Sequence, residues 1–276
     1  VRLDPAGRLL FALFAWPLLV IQENRMTQPT DLSSKSKSAL PSASESALRS
    51  TRGSDTALLV AAVLTLAAWG YGLFGVGTDR DQGDVYRILF VHVPVAWCAF
   101  VWVIAGAVFA VRLFFSPARA QGLDRSSQAC VELGTLFAAL ALLTGSIWGR
   151  PTWGRWWDWD PRLTSTLVMF LVTCGYHILR SFTPDVRARR TVAAVVALLG
   201  ALNVPIVYFS VNLWRSLHQP QSIVANQSNM SGDIKLALWV NVFALLALSI
   251  ALYRVRRQSI AAKETLEMLR AEQGLA

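Results

Sequence analysis

An all-α integral membrane bundle of six transmembrane helices, with a short tryptophan-rich segment outside the bilayer, is the fold class this sequence predicts. Three observations predict it. The mean hydropathy is +0.43, and only 16% of residues are charged, where a soluble domain carries about 25%. Six apolar stretches reach the length that a membrane-crossing helix needs. Five of the eleven tryptophans crowd between Trp148 and Trp159, between two of those stretches.

The first residues precede the bundle. The run LLFALFAWPLLVI (9–21) is apolar for only 13 residues and is broken by Pro17; in length it suits a signal h-region better than a span. The chain opens on Val1, and Met26 offers a start at MTQPTDLSSKSK, so residues 1–25 are expected to be a misassigned start. A cleaved signal or an extra anchor is the alternative. Residues 27–56 are rich in Ser, Thr, Lys and Pro and read as a disordered cytosolic tail. Residues 1–56 thus form an N-terminal extension.

The six spans are expected near 57–76, 91–111, 129–148, 163–180, 191–213 and 236–253, giving a membrane domain over 57–254. The third and fourth are completed by polar residues at their ends, such as Gln128 and Arg180, the latter snorkelling to the interface. Glu132 faces the bundle or the interface. Pro94 and Pro205 are tolerated as kinks, and Asn203 and Asn241 can hydrogen-bond between helices. The tail at 255–276 has an amphipathic rhythm and reads as a solvated or interfacial cytoplasmic helix.

The net charge of +9 does not point to nucleic acid. In a membrane protein, Arg and Lys gather in cytosolic loops and set the orientation. One set of loops carries thirteen cations, among them Arg112, Arg119, Arg187, Arg189, Arg190 and Arg254; the other carries seven, among them Arg80, Arg150, Arg155 and Arg215. The richer side is expected to be cytoplasmic. Both ends of the bundle then lie inside, and the tryptophans lie outside, in the periplasm of a bacterium with an inner membrane. The three cysteines, Cys98, Cys130 and Cys174, form no CxxC pair and read as small buried apolar residues. No P-loop, GxSxG or HExxH pattern is present, so neither nucleotide-driven transport nor hydrolysis by this chain alone is supported.

The chemistry is expected in WGRPTWGRWWDWDPRLTS (148–165). An aromatic belt explains one or two tryptophans per helix end. Five in a short segment, interleaved with Arg150, Arg155, Asp158, Asp160 and Arg162, form an aromatic surface rimmed by N–H donors. If 153–157 is helical, Trp153, Trp156 and Trp157 share a face. Gly149 and Gly154 would let a flat ligand or a helix come close. Asp160, before Pro161, ends the motif in an extended conformation. It either pairs with a nearby Arg or orients a ligand through a hydrogen bond.

There are three histidines. His92, at the outer start of the second span, and His218, beyond the outer end of the fifth, lie on the tryptophan side. His177 lies near the inner end of the fourth and reads as a cytosolic-interface residue. With no external cysteine, a closed zinc site is poorly supported. Two imidazoles, one above and one below a planar macrocycle, suffice for heme iron. The tryptophans offer it a flat wall, and Arg150, Arg155 and Arg162 offer cations for its propionates.

At these residues the chain resembles the tryptophan-rich "WWD" family of bacterial heme-handling membrane proteins and, more narrowly, the cytochrome c maturation protein C (heme exporter protein C) family. ILFVHVPVAW (88–97) and NVPIVYFSVNLWRSLHQP (203–220) support the likeness, which covers about 57–254. It implies that His92 and His218 are axial ligands of heme b. It also implies that Trp148, Trp153, Trp156, Trp157 and Trp159 with Asp160 form the platform, and that Arg155 and Arg162 meet the propionates. The function implied is presentation of heme to a periplasmic heme chaperone in c-type cytochrome biogenesis. An ABC transporter complex and a small single-helix membrane protein are the further partners. A holding and handing-over role, rather than an enzyme's, follows; a heme lyase attaching heme to apocytochrome is the alternative. The chain departs from the family pattern at Asp158, where an apolar residue is common, and at Pro161, where Ala is common. Asp158 puts a negative charge near the proposed propionate region.

Overall fold

The computed structural model describes residues 41–80, 82–218 and 230–273. They form long helices, and no strand occurs among the described residues. Helix α1 is Pro41–Phe74, α2 Leu89–Phe115, α3 Ala120–Trp153, α4 Pro161–Phe182, α5 Val186–Leu213 and α6 Gly232–Glu272. Short 3-10 turns stand before α2 and α3, at Asp84–Ile88 and Pro117–Arg119. Among the described residues, six segments are long and apolar enough to cross a membrane. Leu59, Val63, Phe74, Leu202 and Phe243 are exposed, as side chains facing lipid should be. The chain divides into two units, Val1–Arg52 and Gly53–Ala276. Of the first, the described part is the beginning of α1. The apolar run at 9–21 and the Met26 start lie outside the described residues.

The spans are longer than hydropathy alone suggests. α1 begins at Pro41, so residues 41–56 are helical rather than disordered. The stretch SASESALR supplies Ala, Glu, Leu and Arg, which are good helix formers, and Pro41 stands at the first position, where its missing N–H is harmless. α6 runs on without a break to Glu272, so the C-terminal tail is not a free surface helix. Ile260 is buried, Arg125 binds Glu264 at 2.7 Å, and Arg257 Nε donates to Ser126 Oγ at 3.0 Å. These contacts lay the end of α6 along the start of α3.

α3 is the most buried span and α1 the least. Small residues let α2 and α3 pack backbone to side chain. A Cβ at Gly106 would stand 2.7 Å from Val131, and one at Gly134 would stand 2.7 Å from Val103. Ser127 Oγ also donates to the Gly106 carbonyl at 2.9 Å. Both asparagines bond between helices: Asn203 Nδ2 donates to the Ser165 carbonyl at 2.7 Å, and Asn241 Nδ2 to the Ala68 carbonyl at 3.0 Å.

At the arginine-rich end an ion cluster replaces the expected snorkelling. Arg180 turns inward and grips Asp124 through both oxygens, at 2.7 and 3.1 Å, while also donating to Gln128 at 2.9 Å. Glu132 does face the bundle, held by Arg256 of α6 and by Gln128. His177 has a partner inside the bundle. Its Nε2 lies 2.9 Å from Thr135 Oγ1 of α3, so it ties α4 to α3 within the bundle. Inside lipid such groups must find protein partners.

Candidate functional site

The last three turns of α3 carry the centre of the site. Trp148 packs against a buried apolar cluster that includes Val76, Tyr86, Phe90 and Leu238. Its Nε1–H donates to Gln82 Oε1 at 3.1 Å. The indole is therefore held on its face and at its polar tip. His92, in the first turn of α2, meets it edge to face at 5.7 Å and 72°. His92 Nδ1 lies 2.9 Å from Thr144 Oγ1, one helical turn before Trp148. Gly145 makes room for the ring, since a Cβ there would stand 3.1 Å from His92 Cε1.

Trp153, the last residue of α3, serves the other histidine. Its ring meets His218 edge to face at 4.8 Å and 68°. The helix stops because Gly154 takes φ +77°, a left-handed conformation, and its N–H closes on the Arg150 carbonyl at 3.1 Å. This ends the expected helix over 153–157, so Trp153, Trp156 and Trp157 do not share a helical face. Gly149 opens space for its own chain rather than for a ligand: the Trp153 ring and the Arg155 carbonyl already come near it. At Gly154 no neighbour comes close, and its φ is the reason for glycine.

Asp160 joins the two halves of this end. Its Oδ1 accepts from Arg162 N–H at 2.9 Å, capping α4 just before Pro161. The same carboxylate reaches the segment after α5. Oδ2 accepts from Ser216 Oγ and from Leu217 N–H, both at 2.7 Å, and Oδ1 lies 3.1 Å from His218 Nδ1. Asp160 is 4% exposed. Burial pushes its carboxyl up, but the bonds from Ser216, Leu217 and Arg162 and the nearby His218 outweigh it, and the net shift is downward. An ionised carboxylate only accepts, so His218 Nδ1 carries the proton. Burial pushes the His218 imidazole below its ordinary 6.5, against the pull of Asp160 and with Arg162 adding to the lowering. His218 is thus neutral at pH 7, with Nε2 as a free lone pair.

At His92 the hydroxyl proton of Thr144 is committed to the Leu140 carbonyl at 2.7 Å. With that proton so placed, Thr144 Oγ1 is set to accept from Nδ1–H, the tautomer that leaves His92 Nε2 with its lone pair.

The other expected residues fall around this core. Trp157 and Trp159 meet edge to face at 5.7 Å. Trp156 and Trp159 are 51% and 73% exposed and face outward, where a planar ligand or a partner can reach them. Each arginine has a protein partner. Arg150 Nη1 donates to the Gly154 carbonyl at 2.9 Å, Arg155 pairs with Asp158 at 2.7 Å, and Arg162 Nη2 donates to the Tyr208 carbonyl at 3.3 Å. Asp158 thus spends its charge on a local ion pair with Arg155. Asp160 bonds to the Arg162 backbone and orients His218.

Sequence reasoning missed Thr144, Gln82 and Ser216. Ser216 carried a readable signal, because a serine two residues before a histidine can close on its backbone; Ser216 Oγ accepts His218 N–H at 3.1 Å. Thr144 and Gln82 lie 52 and 66 residues from their partners, and nothing local marks them.

The pattern of the heme exporter protein C family matches residues 38–271. A heme exporter protein C from Bradyrhizobium diazoefficiens is 37% identical over 219 residues, which cover 78% of this chain and 82% of that protein. One from Escherichia coli K12 is 32% identical over 207 residues, 74% of this chain and 82% of that protein. A mitochondrial ccmC-like protein from Marchantia polymorpha, named for cytochrome c biosynthesis, is 35% identical over 184 residues, 67% of this chain and 75% of that protein. The matched stretch takes in all six membrane-length segments, both site histidines and the tryptophan run between them, and the chain belongs to the heme exporter protein C family.

Proposed function

We propose that this protein binds heme b between His92 and His218 at the periplasmic face of a bacterial inner membrane and presents it to a periplasmic heme chaperone for c-type cytochrome biogenesis. The observation that carries the reading is the matched state of the two imidazoles. Each has Nδ1 engaged by a protein acceptor, Thr144 or Asp160, which leaves each Nε2 for iron. Protein side chains of this kind hold heme iron axially, and an acceptor behind a ligating imidazole fixes its tautomer and direction. Trp148 and Trp153 hold the ring edges. Trp156, Trp157 and Trp159 supply an open aromatic wall beside the site. Arg162, and Arg155 through the donors its Asp158 pair leaves free, are the cations for propionates.

No nucleophile or general base is needed for this work: the chain's residues bind, orient and release. The orientation rests on the basic end carrying Arg180, Arg187, Arg189 and Arg190, with both ends of the bundle cytoplasmic. The relatives' name, heme exporter protein C, supports a place in a heme-exporting ABC transporter assembly; a small single-helix membrane protein belongs to the proposal as a further partner. An absorption spectrum of the purified protein beside His92→Ala and His218→Ala tests the reading. A low-spin Soret band weakened or shifted by each variant supports it. A band indifferent to both overturns it, and retention of apocytochrome by the purified protein would favour the lyase reading instead.

A further inference from the structure

The two histidines are backed by unlike groups. Behind His218 stands a carboxylate, Asp160, fixed by three further bonds from Arg162, Ser216 and Leu217. Behind His92 stands a neutral hydroxyl, Thr144 Oγ1, whose own proton is committed to the Leu140 carbonyl. An anionic acceptor draws the Nδ1 proton more strongly than a neutral one, and so leaves more electron density at Nε2 for a metal. The protein thus makes two chemically identical side chains unequal donors.

We propose that Thr144 is the positioning residue that keeps His92 the weaker of the two axial ligands, so that His92 is the one that leaves when heme is handed on. This rests on the reading of His92 and His218 as the axial pair. The step is a ligand substitution. The iron–Nε2 bond to His92 breaks, a bond to a nitrogen or other donor of the receiving molecule forms in its place, and no electron is transferred. His218 holds the heme during the exchange. Thr144 has two parts in this: it aims Nε2 at the metal, and it withholds the charge that would make the bond durable. The surroundings of the ring fit such a role. Gly145 and Trp148 hold it in place, and both lie on α3 with Thr144.

Two measurements test the proposal. In the heme-free full-length protein labelled with 15N-histidine, His92 is expected as the Nδ1–H tautomer. Thr144→Val should lose that preference, and Thr144→Ser, which keeps the hydroxyl, should restore it. In the heme-loaded, dithionite-reduced protein, carbon monoxide binds only as an axial histidine leaves, so its binding rate reports the weaker ligand. Thr144→Asp is expected to slow it on the order of tenfold, and Thr144→Val to speed it by a similar factor. A rate indifferent to both Thr144 variants but raised by Asp160→Asn would make His218 the leaving ligand and overturn the proposal. A Soret band that survives both His92→Ala and His218→Ala would remove the axial reading and the proposal with it. The heme-free histidine spectrum still reads the bond from His92 to Thr144 separately, so the two failures are distinguishable.

Discussion

Asp160 and His218, 58 residues apart in the chain, lie 3.1 Å from each other through Oδ1 and Nδ1. One buried carboxylate thereby serves as helix cap, loop latch and histidine orienter at once. It closes the start of α4, holds the chain leaving α5, and decides which nitrogen of His218 is free.

Asp160→Asn tests this convergence. The amide keeps one acceptor but offers donors to groups that are themselves donors, so the loop at 214–218 loses its anchor and His218 its fixed tautomer. Heme affinity is expected to fall about 10–100-fold, with less of the low-spin Soret band at equal heme, as read by hemin titration of the purified variant. Thermal stability should fall as well, because a group left unsatisfied in a buried site costs about 1–3 kcal/mol.

The pH dependence has a definite sign. His218 is shifted below 6.5 in the folded protein, so its contribution to stability is complete above pH 6.5 and declines as the pH falls below it. Asp160 is shifted below 3.8, so its contribution is complete above pH 3.8 and is lost only at lower pH. Histidine NMR of the heme-free protein should give a His218 midpoint under 6.5. A midpoint above 6.5 would show that the Asp160 charge outweighs burial.

Gly145→Ala brings a methyl to 3.1 Å from His92 Cε1. The ring must move by a few tenths of an ångström, away from Thr144 Oγ1. Heme retention is expected to drop about tenfold, since disturbing the hydrogen bond behind a ligating imidazole costs about 10–100-fold. The fold should survive, as circular dichroism and gel filtration would report.

Arg180→Ala takes the two-pronged partner from Asp124, whose side chain is only 8% exposed, and leaves it Arg190 Nε at 3.6 Å. Removing the sole partner of a buried charge costs about 3–5 kcal/mol, and with Arg190 still in place the loss is expected to be smaller. A lowered unfolding midpoint is expected, with the Soret band of the folded fraction unchanged, because the pair lies at the opposite end of α3 from Thr144, Trp148 and Trp153.

Much of this architecture was legible in the sequence, for a physical reason: a bilayer demands long apolar helices, and hydropathy reports them directly. That His92 and His218 share one end of the bundle with the tryptophan run was legible because these residue types are rare and their placement at span ends is local. What hydropathy concealed was polar. The inward turn of Arg180, the docking of the α6 extension on α3 and the place of His177 depend on partners far along the chain. A composition rich in Ser and Thr hid the helix at 41–56. The stop at Gly154 was written as a single glycine, and the tryptophan spacing that followed it imitated a helix. Thr144 shows the limit most clearly, because a threonine in a membrane helix has many ordinary uses and only the fold brings it to His92.

Thr144, Trp148 and Trp153 all belong to α3. Two of them touch His92 and the third touches His218. The helix therefore acts as a ruler for the two histidines, with a rise of about 7.5 Å between residues 148 and 153. A residue inserted between Thr144 and Trp153 would turn everything beyond it by about 100° and carry Trp153 off His218, while the same insertion at 155–158 would fall in irregular chain past the helix end. Spacing on α3, more than the length of the loop beyond it, is where this site is least able to vary.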